Sequence, residues 1–465
     1  MLSFFKINDP WRMIGILFLL MLLRVPYLMM NLPVIQPEII WLLMGERISD
    51  GHLMYTGILD DTGPFSSLVY WASHVLFGKS ASAYRFMAFF VILFQVYYIN
   101  HLFIRFKTFD ENSYIPAFVM AVLFHISFDF LTLSPGLLGG TFILLAFGQL
   151  LGQTSLNQNP TESVLLMGLY AGIGFCFHFP LVVFLPFLIL SGIMINGFSF
   201  QQLALSVTGY LLPVSICALF FFWMDGLYEF VQHFFLTSRT VDKIFHVQYA
   251  DLLFLFLLPC LLSLAGYLRN NFIGRMNLTQ QKQNQLFVVY GIFLVGTVFL
   301  INRLSPYQFI CFLPVFTYFV THLIVSHPRP MLQSILFYSF FLIIPFMGYS
   351  WAFYKKNDPS FIQYAILPEE KHLLTSGLPI LVLGNDPSYY HNASLATPYL
   401  HFGLARNYWR NRDDLEVLTN TYLSFIEERP VYVIDEEGVF KNLMEQLPKL
   451  KNMYLEEKPG VYRLK

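Results

Sequence analysis

The sequence predicts a polytopic α-helical membrane protein, in which about eleven transmembrane helices precede a small soluble α/β domain. Hydrophobic residues make up 56% of the 465 positions and charged residues only 12%, a composition far from that of a soluble globular protein. Aromatic residues reach 18%, as is typical of chains that contact both lipid and the membrane–water interface. The long apolar runs end near residue 351, where charged residues become more frequent.

A membrane crossing needs about 20 apolar residues, and the chain contains a series of such runs. Several are separated only by a proline or a few polar residues, as at Ser134-Pro135, which indicates tight helical hairpins. The predicted spans are 11–31, 84–104, 114–132, 135–153, 162–178, 180–197, 201–222, 250–268, 285–301, 306–325 and 331–351.

Basic residues predict the orientation of these spans. With the N-terminus inside, the loops on the cytoplasmic side carry the larger share of Lys and Arg, among them Lys6, Arg12, Arg105 and Lys107. Positive charge is favoured on that side, so we expect the N-terminus inside. An odd number of crossings then places the C-terminal segment outside, together with two long loops, 32–83 and 223–249.

The predicted domains are a transmembrane domain at 1–351, which includes both long loops, and an extracytoplasmic α/β domain at 352–465. In the second domain, short apolar runs at 379–383 and 431–434 end in turn residues and are predicted to be buried strands. Helices are predicted around 394–410 and 415–428, and a final hairpin at 453–457 and 461–464.

Charge and cysteine usage exclude some functions. The formal net charge of −1 lacks the basic surface that binds nucleic acid, so no DNA or RNA partner is expected. The four cysteines all lie in apolar runs. We therefore expect them to pack as small hydrophobic residues and not to form a disulfide framework or a metal site.

The loop at 32–83 is much longer than a simple connection requires. Residues 38–50 place apolar side chains at helical spacing between acidic ends, which predicts a helix lying in the membrane interface. Asp60 and Asp61 follow in a turn-like segment, and a second amphipathic run spans 65–77.

The motifs of the first loop are, in order, Glu38, Gly51 with Tyr55, Asp60-Asp61, Gly63-Pro64 and the Phe77-Gly78, Ser80 and Arg85 series. This order of features resembles the first outer loop of the GT-C superfamily, the polyprenyl-phosphate-sugar-dependent membrane glycosyltransferases such as mannosyl- and arabinosyltransferases. Two later segments, 302–314 and 382–399, are similar to a late membrane segment and to the soluble tail of some members.

The resemblance implies an inverting transfer of sugar from a polyprenyl phosphate to an acceptor on the outer face of a bacterial cytoplasmic (inner) membrane. Family members use a carboxylate on the first outer loop as general base, because a hydroxyl is a poor nucleophile until its proton is removed. Cationic groups stabilise the leaving lipid phosphate. The residues implied for these roles are Glu38, Asp60 and Asp61 as catalytic acids, and Arg303, His178 and Arg85 at the donor phosphate.

Departures from the family pattern keep a second hypothesis open. Members usually begin the first loop with Asp, whereas this chain has Gln36-Pro37-Glu38, and many have Lys where it has His178. The chain could therefore be a catalytically inactive GT-C-like scaffold or an assembly component of a cell-envelope complex. A transporter is less well supported, because no inverted repeat is evident.

Each candidate residue also has a purely structural interpretation. Glu38 could stabilise a helix start, Arg303 could anchor the chain at the interface, and His178 could be a buried histidine with satisfied hydrogen bonds. Three further residues in the second long loop are candidates for contact with substrate, namely His233, Arg239 and Lys243.

The expected partners are a polyprenyl-phosphate-linked sugar, a glycan, lipid or protein acceptor, and membrane lipids. No cofactor is expected. A divalent metal bridging Asp60 and Asp61 is compatible with the residue types, but the proposed chemistry does not require it.

Overall fold

A computed structural model describes residues 1–154, 160–237, 241–272, 274, 276–356, 364–366, 375–409 and 415–465. Arg239 of the second long loop lies outside these residues. The chain forms two compact units. The first, here called the bundle unit, comprises Met1–Leu32, Tyr84–Ile216 and Phe245–Asp358. The second, the loop–tail unit, comprises Pro33–Ala83, Cys217–Ile244 and Pro359–Lys465. Most of each long loop, which the sequence places in the predicted domain 1–351, thus groups with the C-terminal segment in this division of the chain.

Helices dominate the chain. The α-helices are α1 (Leu2–Lys6), α2 (Arg12–Met29), α3 (Gln36–Ser49), α4 (Pro64–Phe77), α5 (Ala81–Arg105), α6 (Ile115–Leu123), α7 (Pro135–Gly152), α8 (Pro160–Phe177), α9 (Phe184–Ser191), α10 (Phe200–Trp223), α11 (Leu227–Phe230), α12 (Tyr249–Phe272), α13 (Leu278–Leu300), α14 (Leu313–Val325), α15 (Pro330–Lys356), α16 (Phe402–Tyr408), α17 (Leu415–Glu428), α18 (Val439–Gln446) and α19 (Pro448–Met453). Short 3₁₀ segments include Phe128–Leu131, Phe179–Val183 and Pro306–Phe312.

The protein is a multi-pass membrane protein. Within the described residues, nine helical segments are long and apolar enough to cross a bilayer. They are Arg12–Met29, Ala81–Arg105, Pro135–Gly152, Phe179–Asn196, Phe200–Trp223, Tyr249–Phe272, Leu278–Leu300, Pro306–Val325 and Pro330–Lys356.

The predicted count of eleven spans is not confirmed. The helix within the predicted span 162–178 is a shorter apolar one, Thr161–Phe177. The predicted span 114–132 is broken into α6, of nine residues, and the 3₁₀ segment Phe128–Leu131. Nine helical residues cover only about 14 Å, less than half the hydrocarbon core. All nine are buried, so α6 packs inside the bundle unit.

Helices α8 and α10 approach each other closely through small residues. A Cβ atom on Gly168 would clash with the Ser206 carbonyl oxygen, and one on Gly172 would clash with that of Tyr210. On the facing helix, a Cβ on Gly209 would lie 2.5 Å from the Leu165 carbonyl oxygen. Gly168 and Gly172 form a small-xxx-small motif, which lets membrane helices pack backbone to backbone.

A five-stranded sheet forms the core of the loop–tail unit. Its strand order is β4-β3-β5-β7-β6, with β3 parallel to β4 and β5, and β7 antiparallel to β5 and β6. The strands of the chain are β1 (Ile244–Phe245), β2 (Arg303–Leu304), β3 (Pro379–Leu383), β4 (Ser394–Leu395), β5 (Tyr432–Asp435), β6 (Tyr454–Lys458) and β7 (Val461–Leu464).

These elements confirm most of the predicted C-terminal α/β fold. Strand β3 and helix α17 have the predicted bounds, and β5 and the final hairpin differ from theirs by a residue. The predicted helix at 394–410 has its last residue outside the described part of the chain, and within 394–409 the structure has instead a short strand, β4, followed by α16. Ser394 and Leu395 are extended because they pair with Pro379 and Ile380 of β3.

The first long loop is part of the α/β core. Leu59 packs in the same apolar cluster as Leu381, Tyr399 and Phe402. Its N–H donates to the Pro398 carbonyl at 2.7 Å, and its carbonyl accepts from the N–H of His401 at 2.9 Å. These contacts join segments distant in sequence, so the loop and the C-terminal segment fold as one body.

Helix α3 does not have the exposed apolar face that an interfacial helix needs. Trp41, Leu43 and Met44 are at most 1% exposed. The Trp41 ring stacks on that of Tyr70 in α4 with centroids 5.6 Å apart, and a Cβ on Gly45 would lie 2.5 Å from the Tyr70 carbonyl oxygen. The expectation that 38–50 lies in the membrane interface is therefore not met, because neighbouring protein covers the helix.

Candidate functional site

The predicted site residues divide between the two units. Glu38, Asp60 and Asp61 belong to the loop–tail unit, whereas Arg85, His178 and Arg303 belong to the bundle unit.

Glu38 stabilises the start of its own helix. It lies in the first turn of α3 and is only 1% exposed. Its Oε2 accepts a hydrogen bond from the Ile35 N–H at 3.1 Å. That bond satisfies a backbone donor just before the helix, and the carboxylate lies at the positive end of the helix dipole.

Asp60 shapes the turn that leads into α4. Its Oδ1 accepts from the Thr62 N–H at 2.9 Å and from Thr62 Oγ1 at 2.5 Å. The Tyr55 hydroxyl closes the same turn by donating to the Thr62 carbonyl at 2.8 Å. Asp60 is fully buried, whereas the neighbouring Asp61 is partly exposed. Of the three predicted acids, Asp61 is thus the one that is not fully buried.

The second long loop brings a histidine near these acids. Its residues pack on the first loop through aromatic contacts, in which the Tyr55 ring lies 5.1 Å from Phe221 and 5.4 Å from Phe230. His233 follows in a π-helical turn, Val231–Phe235.

Burial, together with the smaller effect of the nearby His401, lowers the pKa of His233 to about 4 against the opposing effect of Asp60 and Asp61. A pKa in this range corresponds to a neutral imidazole at pH 7. A neutral imidazole can donate one hydrogen bond and accept another. The loop–tail unit therefore combines a partly exposed carboxylate, Asp61, with a neutral histidine in its electrostatic neighbourhood.

His401 is a member of this neighbourhood that the sequence analysis missed. Its Nδ1 accepts from the Leu404 N–H at 3.4 Å and caps α16, and its backbone N–H bonds Leu59. No local motif marks it, because only the long-range pairing of the tail with the first loop brings it near the acids.

In the bundle unit, Arg303 lies in a short buried strand, β2, and is 6% exposed. The turn after it is held by Asp129. The carboxylate Oδ2 of Asp129 accepts from the Tyr307 N–H at 2.9 Å, and its Oδ1 accepts from Ser127 Oγ at 2.5 Å. Asp129 thus fixes the backbone close to Arg303.

The beginning of α7 lies beside the turns that follow Arg303 and His178. A Cβ on Gly136 would contact the Tyr307 carbonyl oxygen at 3.5 Å, and one on Gly139 would lie 2.7 Å from Leu181. His178 itself precedes the 3₁₀ segment Phe179–Val183 as its N-cap residue. The N-terminal end of α7 carries the positive end of a helix dipole, which favours a nearby anion.

Arg85 lies in the first turns of α5 and is partly buried. Its carbonyl accepts a hydrogen bond from Arg24 Nη1 at 3.2 Å. Among the described residues, no group of three or more His, Cys, Asp or Glu side chains could hold a metal ion.

Comparison with solved structures finds proteins of the same architecture. ArnT from Cupriavidus metallidurans, bound to undecaprenyl phosphate, matches 94% of this chain and 95% of its own, with a TM-score of 0.58 and 10% identity. The chain has the GT-C fold.

The oligosaccharyltransferase of Archaeoglobus fulgidus shares this fold. Its apo form matches 96% of this chain and 73% of its own, with a TM-score of 0.50 and 11% identity. Its complex (AglB with an inhibitory peptide and a dolichol-phosphate) matches 98% of this chain and 75% of its own, with a TM-score of 0.51 and 10% identity. No family model and no curated protein matches the sequence. The GT-C fold that the first loop predicted is therefore confirmed by structure.

Proposed function

We propose that this protein is a membrane glycosyltransferase that moves a sugar from a polyprenyl-phosphate donor to an acceptor on the outer face of the cytoplasmic membrane. The observation that carries the proposal is the match of almost the whole chain, 94%, to almost the whole of ArnT bound to undecaprenyl phosphate. A match over 94% of the chain extends beyond the membrane helices. We propose that the N-terminus faces the cytoplasm and the loop–tail unit the outer side.

Asp61 is the general base in this proposal. A base must come within hydrogen-bond distance of the acceptor hydroxyl, and burial of Glu38 and Asp60 makes both harder to reach. His233, being neutral, does not form an ion pair that would weaken the basicity of Asp61.

The proposed reaction is a single inverting displacement. Asp61 takes the acceptor proton while the acceptor oxygen forms a bond to the anomeric carbon of the sugar. The bond from that carbon to the phosphate oxygen breaks, and the lipid phosphate leaves with the electron pair. Arg303 stabilises the charge that develops on the phosphate, with His178 and Arg85 as further candidates.

A second candidate function is that of a catalytically inactive GT-C-like scaffold in a cell-envelope complex. The observation in its favour is the hydrogen bond from the Ile35 N–H to Glu38 Oε2, 3.1 Å long. It gives a structural role to the residue for which the resemblance implied catalysis.

Transfer of radiolabelled sugar distinguishes the two candidates. Purified full-length protein in liposomes is given a panel of undecaprenyl- and dolichyl-phosphate sugars together with cell-envelope lipid and peptide acceptors. Labelled acceptor formed above the level of protein-free liposomes supports the transferase. A panel that yields no labelled acceptor contradicts it and favours the scaffold.

A further inference from the structure

The backbone of the C-terminal segment is strained at Thr397. Its φ of 82° lies in the left-handed region, which residues branched at Cβ rarely adopt. Pro398 follows it, and a residue before proline is normally restricted to extended conformations. Glycine would adopt this φ without a steric cost. Thr397 therefore raises the energy of the turn that it forms.

The side chain of Thr397 adds a second cost. The residue is fully buried, and within the described part of the chain its hydroxyl has no hydrogen-bond partner. A buried polar group without a partner destabilises the folded state, because water would bond to it in an open state. Both costs would be relieved if the turn opened to solvent and its backbone became extended.

Backbone hydrogen bonds on both sides of Thr397 hold the turn. Before it, the N–H of Ala396 donates to the Ile380 carbonyl of β3 at 2.9 Å. After it, the Pro398 carbonyl accepts from the N–H of Leu59, in the first long loop, at 2.7 Å. The strained turn therefore lies where the C-terminal segment stops pairing with the sheet and begins to pair with the first loop.

An ion pair reinforces these contacts. The N–H of Thr397 donates to Glu428 Oε2 at 2.7 Å, and the guanidinium of Arg47 binds the same carboxylate. A strained backbone persists only where the surrounding structure fixes it. The hydrogen bonds and the ion pair thus favour the closed turn, whereas the strain and the buried hydroxyl favour its opening.

We propose that Thr397 and Pro398 form a strained clasp that holds the first long loop against the C-terminal segment and is poised to release it. In the closed state, the Pro398 carbonyl accepts the hydrogen bond from the Leu59 N–H. In the open state this bond is broken, the backbone of Thr397 is extended and its hydroxyl reaches water. Local opening of this kind requires much less free energy than global unfolding.

The clasp does not depend on the proposed function, but it has a consequence that rests on it. Leu59 directly precedes Asp60 and Asp61 in the sequence. If Asp61 is the general base, release of Leu59 frees the segment that carries this carboxylate. Opening of the clasp then controls when an acceptor hydroxyl reaches Asp61.

Hydrogen–deuterium exchange of the full-length protein in lipid nanodiscs tests the clasp. The readout is exchange of the Leu59 N–H, in a peptide whose sequence is the same in every variant. Thr397→Ala and Thr397→Gly form a matched pair, because both remove the hydroxyl and the methyl group and they differ only at Cβ. Ala396→Gly, measured against the wild type, makes the same comparison of alanine with glycine at a neighbouring residue whose φ is negative.

Exchange of the Leu59 N–H is expected to be about tenfold slower in Thr397→Gly than in Thr397→Ala, because glycine removes the strain of the closed turn. At residue 396 the order should reverse. There, exchange is expected to be about two- to fivefold faster with glycine, which adds only backbone freedom. Equal exchange in the two variants of Thr397, or faster exchange in Thr397→Gly, would overturn the proposal, because opening of the loop would then release no strain at this residue.

A further variant keeps the test decisive if loss of the buried side chain prevents folding. Asparagine tolerates a positive φ, so exchange of the Leu59 N–H should be slower in Thr397→Asn than in the wild type. Unchanged or faster exchange in Thr397→Asn would also overturn the proposal. None of these readouts requires transferase activity, so failure of the clasp is distinguishable from failure of the proposed function.

Discussion

The guanidinium of Arg47 forms a two-point ion pair with the carboxylate of Glu428, with Nη1–Oε2 at 2.5 Å and Nη2–Oε1 at 2.9 Å. Arg47 Nη2 also donates to the Gly57 carbonyl at 3.2 Å, and the N–H of Thr397 donates to Glu428 Oε2 at 2.7 Å. This mostly buried ion pair thus connects α3 with the segment that precedes Asp60 and with the C-terminal end of α17.

Removing one partner of this pair should destabilise the loop–tail unit. Arg47→Met leaves the Glu428 carboxylate without its main partner, which typically costs about 3 kcal/mol for a buried pair. We expect a lower melting temperature for the purified protein and faster proteolysis after the first loop. Arg47→Met with Glu428→Gln should regain part of the loss, because the unpaired charge is gone.

Arg429→Met is the control for this prediction, since Arg429 is the exposed neighbour of Glu428. An equal loss in Arg429→Met, or no loss in Arg47→Met, would show that the ion pair does not hold the unit together.

Close packing of α8 on α10 predicts a strong effect of one added methyl group. Gly168→Ala forces a Cβ against the Ser206 carbonyl, and overpacking of this kind costs about 1–3 kcal/mol. We expect a lower melting temperature in detergent. In Gly291→Ala the new Cβ would meet Val315 Cγ1 at 3.6 Å, an ordinary contact, so this variant should match the wild type. Equal melting temperatures for the two variants would contradict the packing.

His233 should make stability depend on pH in the acidic range. Its folded-state pKa of about 4 lies below the ordinary value of 6.5, so between these values the unfolded chain binds a proton that the folded chain does not. Its contribution is therefore constant above pH 6.5 and declines as the pH falls toward 4.

The melting temperatures of wild type and His233→Gln are compared across pH 4 to 7.5. As the pH falls, the melting temperature of the wild type should decrease relative to that of His233→Gln. His52→Gln is measured as a comparison, because burial and the charge of Arg47 also lower the pKa of His52. If the wild type and His233→Gln lose stability in parallel as the pH falls, the pKa of His233 is the same in the folded and unfolded chain, and the prediction is wrong.

Arg303 is expected to act on the donor phosphate. Arg303→Gln removes its positive charge and should lower the rate of transfer by about 10²–10³-fold, in the range observed when a stabilising donor is removed. Arg329→Gln, at an exposed arginine, is the matched control. Equal rates in the two variants would place the phosphate-binding cation elsewhere, with Arg85 the next to test.

The sequence predicted the elements that depend on local pattern. The strand at Pro379–Leu383 and the helix at Leu415–Glu428 have apolar spacing and boundaries that nearby residues define. It did not predict strand β4, because Ser394 and Leu395 become extended only by pairing with β3. The short helix α6 was read as part of a full span because apolar composition does not reveal where the backbone leaves the helix.

The sequence predicted which residues are candidates for the site, but not which of the acidic residues are buried and held by structural hydrogen bonds. Asp60 and Glu38 were recognised as candidates from their place in the first loop, yet their hydrogen bonds to Thr62 and Ile35 follow from geometry that the pattern does not specify. His401 could not be found, since Leu59 and His401 meet only through the folded loop–tail unit.

The most direct test of the account is the rate of sugar transfer by wild type, Asp61→Asn and Glu38→Gln, measured side by side with the same polyprenyl-phosphate donor. We expect the rate of transfer by Asp61→Asn to fall by about 10²–10⁴-fold, the usual contribution of a positioned general base. Glu38→Gln should keep most of the rate, because glutamine retains an oxygen that can accept from the Ile35 N–H. Full activity in Asp61→Asn with loss of activity in Glu38→Gln would show that Asp61 is not the general base and would assign that role to Glu38.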